Sequence, residues 1–318
     1  MGLVEAWGGN PLGWFIANLI EAFYNFFYAL FHPGQWLAWL PYINSQMPDA
    51  AVKESLMRFI YYGASRELFF VLFTTFLIVT IIGLFHNGFM WACVRRLEGF
   101  ANKVGRFFAW AGLFMVLQQI MIIFLQRVFA VSEISLGFGL KFSQDVSWWS
   151  EELKLYNALI VCLCATYTFV QGGHVRVDLI YSVVSYRTKR IIDMFGCLVF
   201  MIPAALVTYF YGWFFMWRTM ITPKLSASDT FKDIDKLLPK ARALKWNVET
   251  IGFSPNGFNA YFLFKILLVT FTILVILQAI AFLYRSYLEF KEGPESDGKN
   301  LDRDSLGDPT AELVADIH

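Results

Sequence analysis

Charge is what this sequence has least of. Asp, Glu, Lys and Arg make up 16% of its 318 residues, where a soluble domain carries roughly a quarter. A soluble globule needs that charge to coat its surface, so an ordinary soluble protein is excluded. The charges also nearly cancel, with 26 basic against 25 acidic side chains. A chain with no net field attracts no polyanion, which excludes nucleic acid as a partner. Cysteine is scarce as well: Cys93, Cys162, Cys164 and Cys197. They form no CxxC pair and no cluster with His, so they read as small buried hydrophobes rather than disulfides or a zinc site. The N-terminus lacks the basic stretch of a cleaved signal peptide. No GxxxxGK[ST] loop is present, which excludes an ATP-driven motor. His32, His86 and His174 lie at or beyond the ends of apolar runs, whereas haem b needs ligands inside a bundle. No internal repeat supports an inverted-repeat carrier. The sequence therefore asks for no cofactor, no metal and no catalytic residue.

What the chain has in abundance is apolar surface. Apolar types reach 57% and aromatics 19%, with 34 Phe and 11 Trp. That excludes disorder for most of the chain. It predicts an all-α integral membrane protein with five clear spans. The spans expected are Leu68–Phe85, Phe107–Phe129, Leu153–Val170, Ile191–Trp217 and Phe258–Tyr284. Pro203 inside the fourth is absorbed by a kink. Lys265 in the fifth snorkels to the interface.

A weaker candidate, Leu12–Phe31, carries Asn18, Glu21 and Asn25 at helical spacing, with Phe15, Leu19, Phe23 and Phe26 opposite. It reads as an amphipathic helix lying in the interface or partly inserted, or else crossing against a partner. The organisation expected is an N-terminal extension over 1–106, a core over 107–287 with a long loop at 218–257, and a disordered tail over 288–318.

Three polar stretches carry four basic residues each: Arg95, Arg96, Lys103 and Arg106; Arg176, Arg187, Lys189 and Arg190; Arg285, Lys291, Lys299 and Arg303. The positive-inside rule places these, and the C-terminus, in the cytoplasm. The acidic loop before the third span then lies outside. Arg218–Gly257 has seven basic residues yet falls outside by alternation. Within it, Ser228–Leu244 reads as a short surface helix.

Two stretches carry information beyond hydropathy. Ser147-Trp148-Trp149-Ser150-Glu151-Glu152-Leu153 opens the third span. Ser supplies a cap, the Glu pair suits the positive end of the helix dipole, and the Trp pair suits the headgroup belt. This is either a well-made helix start or a carboxylate pair that reaches a partner chain. Gly172-Gly173-His174-Val175-Arg176-Val177-Asp178-Leu179 closes the same span. His174 and Asp178, four apart, pair on a short helix, or the stretch is a turn with basic anchors. Arg127, near the end of the second span, either snorkels or makes an ion pair with Glu151 or Glu152.

The order of these pieces resembles the small, Q-type (DctQ-like) membrane subunit of tripartite ATP-independent periplasmic (TRAP) transporters. A helix ending in Gln-Arg-x-Phe is followed by Trp-Ser-Glu-Glu-Leu, then by Gly-Gly-His-x-x-Val-Asp-Leu one helix later, and the likeness runs over about Phe107–Tyr287. The resemblance implies a four-helix core plus at least one extra N-terminal transmembrane helix, a place in a bacterial inner membrane, and a non-catalytic subunit that anchors and braces a large elevator-type transport subunit. It implies sodium-driven uptake of an organic acid delivered by a periplasmic binding protein, with those two proteins and membrane lipids as partners. It gives assembly or structural roles to Arg127, Trp149, Ser150, Glu151, Glu152, Gly173, His174, Arg176 and Asp178. The chain departs from the family at Val128, where Tyr is common, in its long N-terminal part, and in the charged loop after Trp217. A self-sufficient channel or carrier is the rival reading, with Gln118, Gln119, Thr166 and Thr168 as the polar residues available to line a path.

Overall fold

The structure is a computed structural model that describes residues 3–42, 49–136, 142–171, 183–221, 257–258 and 260–301. It is helical almost throughout. The main helices are α1 (Pro11–Phe31), α2 (Ala50–Gly63), α3 (Arg66–Phe85), α4 (Asn87–Arg127), α5 (Val146–Val170), α6 (Tyr186–Gly196), α7 (Ile202–Ile221) and α8 (Phe262–Glu292). A two-stranded antiparallel hairpin, β1 (Glu133–Leu136) and β2 (Phe142–Asp145), precedes α5. Among the described residues, six helical stretches are long and apolar enough to cross a membrane: Pro11–Phe31, Ala50–Phe85, Asn87–Arg127, Val146–Val170, Tyr186–Arg218 and Phe262–Glu292. The all-α membrane architecture read from the sequence is the one observed. The hairpin is an addition that hydropathy did not signal.

Helix starts follow local chemistry. Asn10 accepts the Leu12 N–H ahead of Pro11 at the first turn of α1, where proline's missing donor costs nothing. Ser65 caps α3 by accepting from the Leu68 N–H at 3.1 Å. Before α5 the cap is Asp145, not Ser147: its Oδ1 accepts from the Ser147 N–H at 2.9 Å and from the Ser147 hydroxyl at 3.0 Å. The end of the hairpin delivers that carboxylate to the free amides of the first turn. Between α6 and α7 the ladder widens to a π turn over Cys197–Met201. Pro203 follows one residue later; it has no N–H for the Val199 carbonyl, and its ring needs the added room.

Two expected boundaries move. Arg95–Arg106, read as a polar connection between spans, is the first half of α4. At 41 residues that helix is about 60 Å long, twice the hydrocarbon thickness. The tail expected to be disordered from 288 is instead helical to Glu292 and then forms a 3-10 turn at Pro294–Ser296. The surface helix expected at 228–244 and the tail beyond 301 lie outside the described residues.

The chain divides into two compact units. The first comprises Met1–His86, Met121–Leu155 and Val207–Val269. Here α1 packs on α3 through Ala17, Asn18 and Ala22, with Trp14 and Leu19 against Phe70 and Val71. Asn18 points inward and donates to the Trp14 carbonyl at 2.7 Å, while Leu12, Ile16, Ile20, Tyr24, Phe27 and Phe31 form the exposed stripe. Small and self-satisfied polar residues at the helix contact, with large apolar ones outward, is the pattern expected in lipid rather than water.

An aromatic cluster of Trp39, Phe59, Trp213 and Trp217 ties α2 to α7, with ring centroids 5.2–6.1 Å apart. The last carbonyls of α2 have no partner in their own helix. They are capped from α7 instead: the Tyr209 hydroxyl donates to the Gly63 carbonyl at 2.7 Å and the Trp213 indole to the Ile60 carbonyl at 2.8 Å. Gly63 has to be glycine, because a Cβ there would run into the Trp213 ring.

The second unit comprises Asn87–Ile120, Tyr156–Leu206 and Thr270–His318. Helices α4 and α5 approach closely at Gly105, where a Cβ would collide with Tyr167 and where the Cys164 thiol lies 3.4 Å from the Gly105 carbonyl. Phe169 of α5 meets Phe282 of α8 edge to face at 5.1 Å.

Candidate functional site

The Trp-Ser-Glu-Glu stretch lies in the first turns of α5. Trp149 is buried among Ile122, Ile134 and Val146, and Trp148 stands 5.3 Å from Phe258. Ser150 is exposed and Glu152 half-buried. Glu151 is buried, and it accepts the backbone N–H of Phe258 at 3.0 Å. Its carboxylate lies so close to Gly257 that a Cβ there would overlap it. Glu151 thus pins the chain just ahead of α8.

Arg127 is exposed at the end of α4 and makes no ion pair among the described residues. The link expected from it to Glu151 or Glu152 is not formed. Ile134 of the hairpin packs among Ile122 and Trp149 and so fills the ground between the two helix ends with apolar atoms. Gly173, His174, Arg176 and Asp178 lie outside the described residues.

A double-mutant cycle reports this difference. Glu151→Ala should lower thermal stability by about 1.5–3 kcal/mol, the worth of a hydrogen bond to a charged group. Arg127→Ala should stay within about 0.5 kcal/mol, as exposed sites do. The two losses should add. A coupling above about 1 kcal/mol between them would restore the ion pair.

The densest charge chemistry sits elsewhere, within the second unit. Arg285 of α8 grips Glu98 of α4 with a two-pronged fork, Nε to Oε1 at 2.6 Å and Nη2 to Oε2 at 2.5 Å. Its Nη1 donates to the Lys299 carbonyl at 2.9 Å and reaches Glu289 at 3.4 Å. Arg190 of α6 completes the network. It lies 2.5 Å from Asp297, 3.4 Å from Asp193 and, through Nε, 3.0 Å from Glu289 Oε2. That last pair has ion-pair distance without the alignment of a hydrogen bond.

These groups are deeply buried. Arg285 and Glu98 are each 5% exposed and Glu289 1%. Aromatic rings floor the cations, Tyr186 under Arg190 at 4.9 Å and Trp91 under Arg285 at 5.4 Å. Trp91 also donates to Glu292 at 2.8 Å, and Glu292 holds Lys299 at 3.1 Å. Arginine suits this place because its planar fork matches a carboxylate, and its charge survives burial when each N–H finds an acceptor.

The network joins α4, α6, α8 and the turn after α8. The sequence reading counted Arg190 and Arg285 among the basic residues that place their stretches in the cytoplasm. The available signal was the spacing, Arg285 four residues before Glu289 and Arg190 three before Asp193, with Glu98 lying in a stretch weighed for its basic residues alone. No group of three or more His, Cys, Asp and Glu with metal-binding geometry occurs among the described residues.

Residues 138–230 match the family model of the tripartite ATP-independent periplasmic transporters, DctQ component. This segment is DctQ-like. It takes in both motif stretches, and it spans less than a third of the chain. No curated protein and no solved structure matches the chain.

The DctQ-like segment supplies Glu151, Arg190, Tyr209 and Trp213. Glu98, Arg285 and Glu289 lie beyond it on α4 and α8, and Gly63 and Ile60 lie ahead of it on α2. The ion network and the aromatic caps are therefore among the contacts that bind the DctQ-like segment to the rest of the protein.

Proposed function

We propose that this chain is the small membrane subunit of a TRAP transporter, and that it anchors and braces the large elevator-type transport subunit without catalysing a reaction. The observation that carries the reading is the match of residues 138–230 to the DctQ component. The physical picture supports it. The buried charges of the second unit are committed to one another, as a brace requires. An ion pathway needs groups left available to a passing ion. Much of α4 and α7 presents large apolar side chains outward, among them Phe107, Trp110, Phe114, Tyr211, Phe214 and Phe215, a surface for lipid and for neighbouring helices.

On this reading the driving force is a sodium gradient, the substrate an organic acid, and the third partner a periplasmic binding protein. The protein sits in the inner membrane with its C-terminus in the cytoplasm. The exposed basic residues Arg95, Arg96 and Lys103 on α4 support that orientation. The buried Arg190 and Arg285 no longer count toward it.

Affinity purification of the tagged chain from its native membrane tests the assembly. A larger membrane protein should come with it in fixed ratio. Recovery of the chain alone, folded and monodisperse, counts against a subunit role. In intact cells, an impermeant thiol reagent should miss a cysteine placed at position 95; labelling there would reverse the orientation.

A further inference from the structure

We infer that one face of α4, carrying Arg96, Phe100, Lys103, Phe107 and Trp110, docks an anionic phospholipid. The five positions fall at i, i+4, i+7, i+11 and i+14, so they form a single stripe along the helix. All five are exposed. Glu98, Ala101, Asn102 and Gly105, from the same turns, are buried.

Depth puts the stripe at the headgroups. From Phe262 to Tyr284, α8 runs about 35 Å at 1.5 Å per residue, just past the thickness of the hydrocarbon core. Arg285 comes next in the chain and is forked to Glu98, which brings that level of α4 to the hydrocarbon edge. Arg96 lies about 3 Å along the axis to one side of Glu98, away from the core. Lys103 lies about 8 Å to the other side, where a lysine snorkels back to the headgroups. Phe107 and Trp110 follow on the membrane side, as an aromatic belt does.

Charge names the ligand. Arg95, Arg96 and Lys103 of α4 and Arg187 of α6 are exposed and make no ion pair among the described residues. The carboxylates at this end of the unit are committed. Glu98 is held by Arg285, Glu292 by Lys299, and Asp193, Glu289 and Asp297 by Arg190. Among the described residues, Glu295 is the exposed acid left without a cation there. The surface therefore carries an excess of positive charge that an anionic headgroup balances, while its acyl chains lie along Phe107 and Trp110. A zwitterionic headgroup brings its own cation with each phosphate and gains less. The leaflet is the one that meets this end of α4; calling it cytoplasmic rests on the orientation proposed above, and the docking itself does not.

The test is a titration of the full-length chain, purified in a neutral detergent, with affinity read from the rise in unfolding midpoint as ligand is added. The probes are phosphatidylglycerol, phosphatidylcholine with the same acyl chains, and inorganic phosphate. A cation at a membrane surface is worth about five-fold in affinity for an anionic lipid. Phosphatidylglycerol should therefore bind about 25-fold more tightly than phosphatidylcholine at low salt, and lose most of that margin at about 1 M salt. Arg96→Gln and Lys103→Gln should each weaken phosphatidylglycerol about five-fold and leave phosphatidylcholine unchanged. Arg127→Gln removes an exposed cation from the opposite end of the same helix and should change neither. The preference is a ratio taken within each variant, so a lower midpoint without lipid does not disturb it. Equal affinity for the two lipids, an effect of Arg127→Gln as large as that of Lys103→Gln, or a midpoint raised as far by inorganic phosphate would overturn the proposal. The outcome does not depend on whether the chain assembles with a transport subunit.

Discussion

Arg285→Ala should cost about 3–5 kcal/mol of stability, the penalty for leaving a buried carboxylate without its counter-ion. Glu98 has both oxygens on the Arg285 fork and is 5% exposed, so the substitution leaves a buried carboxylate without its charge partner. Glu289 and the Lys299 carbonyl lose a donor in the same step. Arg285→Lys should fall only partly short of that loss, because an ammonium keeps the charge but not the two-pronged geometry. The pair replaced together, Glu98→Leu with Arg285→Met, should be far milder than either charge deletion, since neither desolvated ion remains. Thermal unfolding of the purified variants gives the order. Losses under about 1 kcal/mol for both Glu98→Ala and Arg285→Ala would mean that water reaches the network as it does a surface pair.

Gly105→Val is the second large effect. The added Cβ falls on the Cβ and ring of Tyr167. Neither is the free end of a flexible chain, so α4 and α5 must part, and the Cys164 contact to the Gly105 carbonyl parts with them. Overpacking of this kind costs about 1–3 kcal/mol and more where backbone has to move. Gly112 on the same helix supplies the control. A Cβ there meets only Ile160 Cδ1, at 3.6 Å, an ordinary contact, so Gly112→Ala should be nearly neutral. The two variants, compared by unfolding temperature, separate a requirement for close approach from a general dislike of substitution in α4. Equal effects would remove the close-approach argument.

The spans were legible because hydropathy over some twenty residues is a strong signal. Their ends were not. Arg95–Arg106 looked like a connection because it is polar, but polarity decides burial in lipid and not helicity, and α4 runs straight through it. The tail looked disordered because it is acidic and rich in glycine. What orders Gly293–Leu301 is a set of distant partners, Arg190 for Asp297 and Arg285 for the Lys299 carbonyl, and no local pattern encodes those.

Which way the polar face of α1 turns was left open by its spacing. Water sorts polar residues outward, whereas here Asn18 answers its own backbone and leaves the large side chains for the exterior. At the hairpin end, Arg127 and the Glu pair were rightly placed at the ends of consecutive helices. The hairpin between them was invisible to hydropathy, and so was the Phe258 N–H that claims Glu151. The stretch that carried the family likeness, Trp149 to Asp178, was legible as sequence order. The ion network was legible only as spacing, and the partner across it, Glu98, stands 187 residues from Arg285 in the chain.

The brace role rests most directly on one measurement, uptake of radiolabelled organic acid by proteoliposomes under a sodium gradient, with the periplasmic binding protein supplied. The account predicts no uptake with this chain alone, and uptake when the chain is reconstituted with the large subunit. Sodium-driven uptake by this chain alone would contradict it.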